Sequence, residues 1–279
     1  MSPAVGRLGY RPDLDGLRAV AVILVIVSHA RFPVGNDGGN AGVTAFFVLS
    51  GYLITRLLRD EQDATGHIDL AAFYRRRVVR LGPALLLLTA FIVVVGLVQG
   101  WSGDWRLGMA ACVLYVGNWV EAFGAQIGPF GHTWSLAIEE QFYLLWPALL
   151  LLLGPRWSIW PALFGVALGA AAQLWAQGDF SYFATVTRGD AILVGCVLGI
   201  LKPKGPPWSG FAGIAILVLA AYLQPNFYLM VPICVLAAAL VVTSEWSALG
   251  ILARLANERM ASTCGIGRSP CSSAQWEGS

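Results

Sequence analysis

Apolar residues recur in runs along almost the whole of this sequence: 19–28, 41–54, 81–98, 107–120, 142–153, 159–176, 191–201, 210–223 and 227–243. A hydrocarbon layer offers no water to unpaired backbone groups, so a crossing needs about 20 apolar residues of helix. Several runs approach that length, and others reach it with weakly polar flanks. Only 12% of the 279 residues are charged, against about a quarter in soluble domains. The predicted fold is therefore all-α, a polytopic membrane bundle with eight or nine apolar segments, one of them re-entrant. With a net charge of only +2, the expected partner is the bilayer, and no nucleic acid is expected.

The placement of charge says more than its sum. Arg56, Arg59, Arg75, Arg76, Arg77 and Arg80 crowd the segment between the second and third runs, and Arg11 and Arg18 precede the first. Positive residues stay on the cytoplasmic side, which predicts a cytoplasmic N-terminus and a first hairpin with residues 33–40 outside. The basic stretch 71–80 is expected to lie as an amphipathic surface helix ahead of Pro83 in the first turn of the next span. Residues 99–106, flanked by Trp101 and Trp105, read as an interfacial loop. A full crossing by 107–120 would put Lys202 and Lys204 outside. A re-entrant dip returns them, with Arg156, to the cytoplasm, and that reading is preferred. A cleaved signal peptide over residues 1–30 is opposed by Asp13, Asp15 and Arg18 around its apolar core. The five cysteines show no CxxC spacing, so neither a disulfide framework nor a metal site is indicated.

The candidate chemistry begins in the first run. Arg18 and His29 stand eleven residues apart, almost three helical turns and about 16 Å of rise on one face. A histidine in lipid-facing sequence is costly unless it meets a polar cavity or partner, and an imidazole titrates near neutrality, as a general base must. Arg18, close to Asp15, is suited to phosphate by its planar guanidinium. Arg77 and Arg80, three apart beside Arg76, can clamp one phosphate group. Further on, His132, Ser135, Glu139 and Tyr143 step by three, four and four, forming one polar stripe of a helix. Glu139, next to Glu140 and near membrane depth, is expected to pair with an arginine or a histidine across the bundle, and it can orient or counter-charge His29. Ser50, beside Gly51, brings a small residue to the middle of the second run. Arg188 and Asp190 flank Gly189, either as an ion pair at a helix entrance or as a substrate contact.

Four ordered elements carry a family resemblance. They are Leu14-Asp-Gly-Leu-Arg18 followed by His29, and Phe46-Phe47 with Leu49-Ser50-Gly51. They continue with Phe73-Tyr-Arg-Arg-Arg-Val-Val-Arg-Leu-Gly-Pro83 and Thr133-Trp-Ser-Leu-Ala-Ile-Glu-Glu-Gln-Phe-Tyr-Leu-Leu-Trp-Pro147. Together they resemble the acyltransferase-3 family of integral membrane acyltransferases. The resemblance implies about ten membrane helices in the cytoplasmic (inner) membrane. It implies transfer of an acyl group, commonly acetyl, from a cytoplasmic acyl-CoA to a hydroxyl of a glycan or lipid-linked saccharide, without a metal. It places His29 at the catalytic centre and makes Arg18, Arg77 and Arg80 functional arginines.

The membrane domain is expected over residues 1–253. From Arg254 the chain turns rich in Ser and Gly, and 254–279 reads as a disordered tail or as out-of-frame sequence in place of the family's closing helix. Two competing readings are a transporter of glycolipid or acyl groups and a decayed, non-catalytic copy. A transporter tends to carry paired broken helices in related halves, and no such repeat is visible here. The intact His29 and arginine cluster oppose the decayed copy.

Overall fold

The computed structural model describes residues 11–30, 38–100 and 104–244. Residues 33–37 of the expected outer loop at 33–40, Trp101, and the 254–279 tail with Cys264 and Cys271 lie outside the described residues, while 38–40 already belong to a helix. Within them the chain is helical, and the sole β feature is an isolated bridge between Gly205 and Ser244.

Helix α1 (Pro12–His29) carries Asp13 and Asp15 in its first turn, where the helix dipole favours acids. Helix α2 spans Gly38–Thr65, and α3 spans Leu70–Gln99, capped by the Asp69 side chain, which accepts from Ala72 N at 2.8 Å. The expected break between a basic surface helix and a following span is absent. Pro83 lies inside α3, which at 30 residues runs about 45 Å by the 1.5 Å rise. Its basic first third therefore extends past what the hydrocarbon needs. Leu86, Leu87, Phe91, Val94 and Leu97 are exposed along the remainder, the lipid-facing pattern that the composition demands.

The weak run 107–120 is no continuous helix. It forms α4 (Trp105–Val113) and α5 (Gly117–Ala122), parted where Tyr115 takes a φ of 54°. Nine residues in α4 rise only about 14 Å, too little to cross. A 3₁₀ turn, Gly128–Thr133, leads into α6 (Trp134–Trp157). Then follow α7 (Ile159–Trp175), α8 (Gly178–Phe183), α9 (Thr185–Leu201), α10 (Ser209–Leu223) and α11 (Phe227–Thr243). Four stretches, Gly38–Thr65, Leu70–Val98, Gly128–Trp157 and Gly178–Leu201, are long and apolar enough to cross a membrane, with α7, α10 and α11 shorter apolar helices. This is a multi-pass membrane bundle.

α2 is its axis, packed against α9, α1, α11, α10 and α6. Small residues let the backbones approach. A Cβ on Gly51 would fall 1.9 Å from the Ile192 carbonyl oxygen, and one on Gly195 would fall 2.1 Å from that of Val48. Gly42 plays the same part against α1, where a Cβ would lie 2.5 Å from Ala21 O. A polar knot fixes the broken α4–α5 pair to this frame. Gln141 donates to Tyr115 O at 2.8 Å and Asn118 Oδ1 at 2.9 Å, and Thr185 donates to Gln141 Oε1 at 2.6 Å. Arg11 ties the entry of α1 to the end of α11 through Val242 O and Ser244 O at 3.2 and 3.1 Å. Gly195→Ala is expected to destabilise the bundle by roughly 1–3 kcal/mol through overpacking, read as a lower thermal midpoint in detergent. Gly82→Ala, where no atom lies within 4 Å of the added carbon, is expected to leave it unchanged.

Candidate functional site

Two cavities are stacked along α1, α2 and α6. The first, of about 590 Å³, is closed on one side by the basic turns of α3. Arg18, Arg76, Arg77 and Arg80 line it together with Ser50, Glu139, Glu140 and Tyr143. The second, of about 700 Å³, lies where α1 ends and α2 begins, and His29, His132, Ser135, Asn40, Trp134 and Tyr182 line it. The two share no lining residue. Phe46 and Leu136 belong to the first and Val43 to the second, so the division between them is apolar.

The spacing of Arg18 and His29 thus serves two cavities rather than one. Arg18 reaches the arginine cavity and pairs with Asp15 at 2.6 Å. His29 is the last residue of α1, not an interior one, and its side chain is exposed at the wall of the second cavity. Its Nδ1 lies 2.8 Å from the Val25 carbonyl oxygen. A carbonyl only accepts, so Nδ1 is the donor in this contact, and in the neutral ring the lone pair is then on Nε2. That is the tautomer a general base requires.

Of the predicted stripe, Ser135, Glu139 and Tyr143 lie on α6 and His132 lies in the 3₁₀ turn ahead of it, and two cavities share the four. His132 and Ser135 face the histidine cavity, while Glu139 and Tyr143 face the arginine cavity. Glu139 does not bond to His29. It accepts from Ser50 Oγ at 2.8 Å and from the Tyr143 hydroxyl at 3.4 Å. Arg77 stacks over the Tyr143 ring, 3.4 Å from its centroid, and stands 3.9 Å from Glu140 Oε1. Aromatic and acidic neighbours of this kind fix the guanidinium plane without consuming all its donors. Arg76 is held 3.6 Å from Glu61, and Arg80 is exposed.

Arg188 and Asp190 are not an ion pair. Two residues apart on α9, they leave the helix on nearly opposite sides. Asp190 turns to α7 and accepts from Gln173 Nε2 at 2.9 Å. Arg188, 1% exposed, turns to α2 and donates to Asn40 Oδ1 at 2.9 Å and Thr44 Oγ1 at 3.3 Å. Sequence reasoning passed over both partners. The available signal was Asn40, a polar residue at the mouth of an apolar run.

A third, acidic cavity lies apart from these, lined by Glu121 and Asp179. Burial, reinforced by the nearby Asp179 charge, raises the Glu121 carboxyl to about 7, partly offset by the hydrogen bond from Ile127 N–H.

These features coincide with relationships to known proteins. A profile of the acyltransferase-3 family, described as an acyltransferase domain, matches residues 11–257. The O-acetyltransferases OatA of Staphylococcus aureus strains NCTC 8325 / PS 47 and COL are each 41% identical over 212 residues, covering 70% of this chain and 35% of the relative. The chain spans about a third of the length of these relatives. No solved structure matches. The chain belongs to the acyltransferase-3 family.

The raised Glu121 carboxyl makes one pH dependence explicit. An unfolded Glu121 ionises near 4.5 and the folded one near 7. Stability from this group is full below the lower value and is lost as pH rises through the upper one. Glu121→Gln is expected to raise the thermal midpoint at pH 8, by an amount on the order of 1 kcal/mol given partial solvent screening. It is expected to have no effect at pH 4.

Proposed function

We propose that this protein is an O-acyltransferase of the cytoplasmic membrane, moving an acetyl or similar acyl group from acyl-CoA to a hydroxyl of a cell-surface glycan or lipid-linked saccharide. The observation that carries the reading is the stacking of an arginine-lined cavity below a cavity lined by His29, whose Nδ1 is tied to the Val25 carbonyl. The O-acetyltransferase relatives supply the chemistry, and the positive-inside rule assigns the arginine cavity and the N-terminus to the cytoplasm.

The donor's phosphates are polyanionic. Arg18, Arg76, Arg77 and Arg80 offer planar, permanently charged donors at one mouth. The arm that bears the thioester then follows α1 toward His29, about 16 Å further along the axis. Its path crosses the apolar division at Phe46 and Leu136, where side chains must rotate to admit it. At the upper cavity Nε2 takes the proton of the acceptor hydroxyl. The oxygen attacks the thioester carbonyl, the C–S bond breaks, and the departing thiolate recovers the proton from the imidazolium. Atoms and charge balance with no metal. Glu139, tied to Ser50 and facing Arg77, acts on the donor side by ordering the arginine cavity. The whole domain over 1–253 serves this one reaction.

His29→Ala is expected to lower glycan-bound acyl groups about 100-fold or more, the usual scale of a lost general base, measured by mass spectrometry of envelope glycans. Full acylation by that variant would reject the assignment. Arg77→Ala is expected to weaken acetyl-CoA binding about 10- to 100-fold, the worth of charge-assisted hydrogen bonds. Calorimetry on the detergent-solubilised chain reads this directly. Unchanged affinity at low salt would remove the arginine cavity from donor binding.

A further inference from the structure

The histidine cavity meets a side pocket of about 260 Å³, and Asn40 and Tyr182 line both. Phe227, Tyr228, Met230 and Ser181 make the other walls of the side pocket. This is smaller than the roughly 300–1,000 Å³ of a drug-sized site, so it suits one ring and not a chain of them. Aromatic faces with a few hydroxyl and amide groups at the edge match the two aspects of a sugar ring, which offers C–H faces and oxygen-bearing edges.

Arg188 sits behind this pocket. Its guanidinium carbon lies 5.3 Å from the Phe227 ring centroid, 5.6 Å from Trp134 and 5.9 Å from Tyr182. Its Nε and Nη1 are buried and have no hydrogen-bond partner. A guanidinium has donors only, so its bond to Asn40 decides which end of the amide faces it. Oδ1 turns to Arg188 and Nδ2 turns away. Among the described residues Asn40 Nδ2 has no hydrogen-bond partner, yet it is not among the sealed-off atoms without one. Its outlet is the cavity space that Asn40 lines.

We propose that the side pocket seats one ring of the saccharide acceptor, that Asn40 Nδ2 donates to an oxygen of that ring, and that Arg188 is the positioning residue that fixes the amide. This rests on the acyl-transfer reading only in naming the ligand as the acceptor. The aromatic walls hold the ring while its hydroxyl reaches His29 in the adjoining cavity. The buried guanidinium faces rings instead of a carboxylate, and its Nη2 is directed at the neutral oxygens of Asn40 and Thr44. An acidic partner in its place would fill the fork and leave Asn40 free to flip.

Binding of a β-linked N-acetylglucosamine tetramer to the purified full chain in detergent tests this, read by calorimetry beside acetyl-CoA binding. Asn40→Asp keeps an oxygen for Arg188 and replaces the Nδ2 donor by a second carboxylate oxygen. It is expected to weaken tetramer binding at least tenfold and to leave acetyl-CoA affinity within twofold. Arg188→Lys, which preserves a charged donor toward Asn40, is expected to bind the tetramer more tightly than Arg188→Met. The proposal is overturned if the wild-type chain does not bind the tetramer, or if Asn40→Asp binds it equally well. Loss of acetyl-CoA affinity in Asn40→Asp also overturns it, because Asn40 then serves the donor side or the fold. A lipid occupant would appear as displacement by a detergent series with no effect of the tetramer, which counts against the saccharide. His29→Ala is expected to keep tetramer binding, so full acyl transfer by that variant would defeat the reaction and leave the pocket assignment standing.

Discussion

Everything in this bundle is arranged around how closely α2 and α9 approach. Gly51 meets the Ile192 carbonyl and Gly195 meets that of Val48, so the two backbones touch with no side chain between them. In hydrocarbon no hydrophobic drive pushes helices together, and such contacts, with interhelical polar bonds, must do so. The close crossing brings Arg188 within reach of Asn40 and Thr44. Gly42 brings α1 to the other flank of α2 in the same way. The walls of both cavities are therefore set by backbone contact, and polar groups line space that the packing leaves.

Arg188 shows what that rigidity carries. Removing a guanidinium from water is costly, and the usual compensation is a carboxylate. Here the charge faces two neutral oxygens and several aromatic rings, whose negative faces attract it. Asp190, the obvious counter-ion by sequence, is committed to Gln173 on α7. A fold that keeps a cation unpaired at such a cost needs strong packing around it, and the α2–α9 contact provides it. The lower cavity follows a different rule. Arg77 has a carboxylate and a ring beside it, while Arg80 is open to the surface, as suits groups that exchange water for a ligand.

The sequence made much of this legible, and the failures have physical causes. Apolar runs mark the helices because hydrocarbon tolerates little else, and the part of the stripe from Ser135 to Tyr143 survives because α6 preserves its period, while His132 falls in the 3₁₀ turn before it. The role of Pro83 was misjudged because a proline read as a helix start is equally tolerated within a long membrane helix when its neighbours satisfy the freed carbonyl. Of the two readings left open for Arg188 and Asp190, the ion pair fails because adjacency in sequence is not adjacency on a helix. The link between Glu139 and His29 was misjudged for a related reason. The stripe shows which residues share a face but not their height relative to another helix, and α6 is offset so that Glu139 meets Ser50. The partners of Arg188 come from α2, nearly 150 residues earlier, beyond the reach of any local pattern.

Two cavities divided by an apolar step also explain how one bundle can hold opposite chemical needs. A polyanion binds best where several cations lie open to water, and a general base works best where water is scarce and its own proton is fixed elsewhere. Placing four guanidiniums next to a neutral imidazole would oppose formation of the imidazolium. Three helical turns of separation weaken that repulsion, and the two linings have no residue in common, with apolar Phe46 and Leu136 in one and Val43 in the other. In the proposed reaction only an uncharged arm needs to pass that step. A charged headgroup would stay behind with the arginines, and the division would then select for a donor that is polyanionic at one end and neutral at the other.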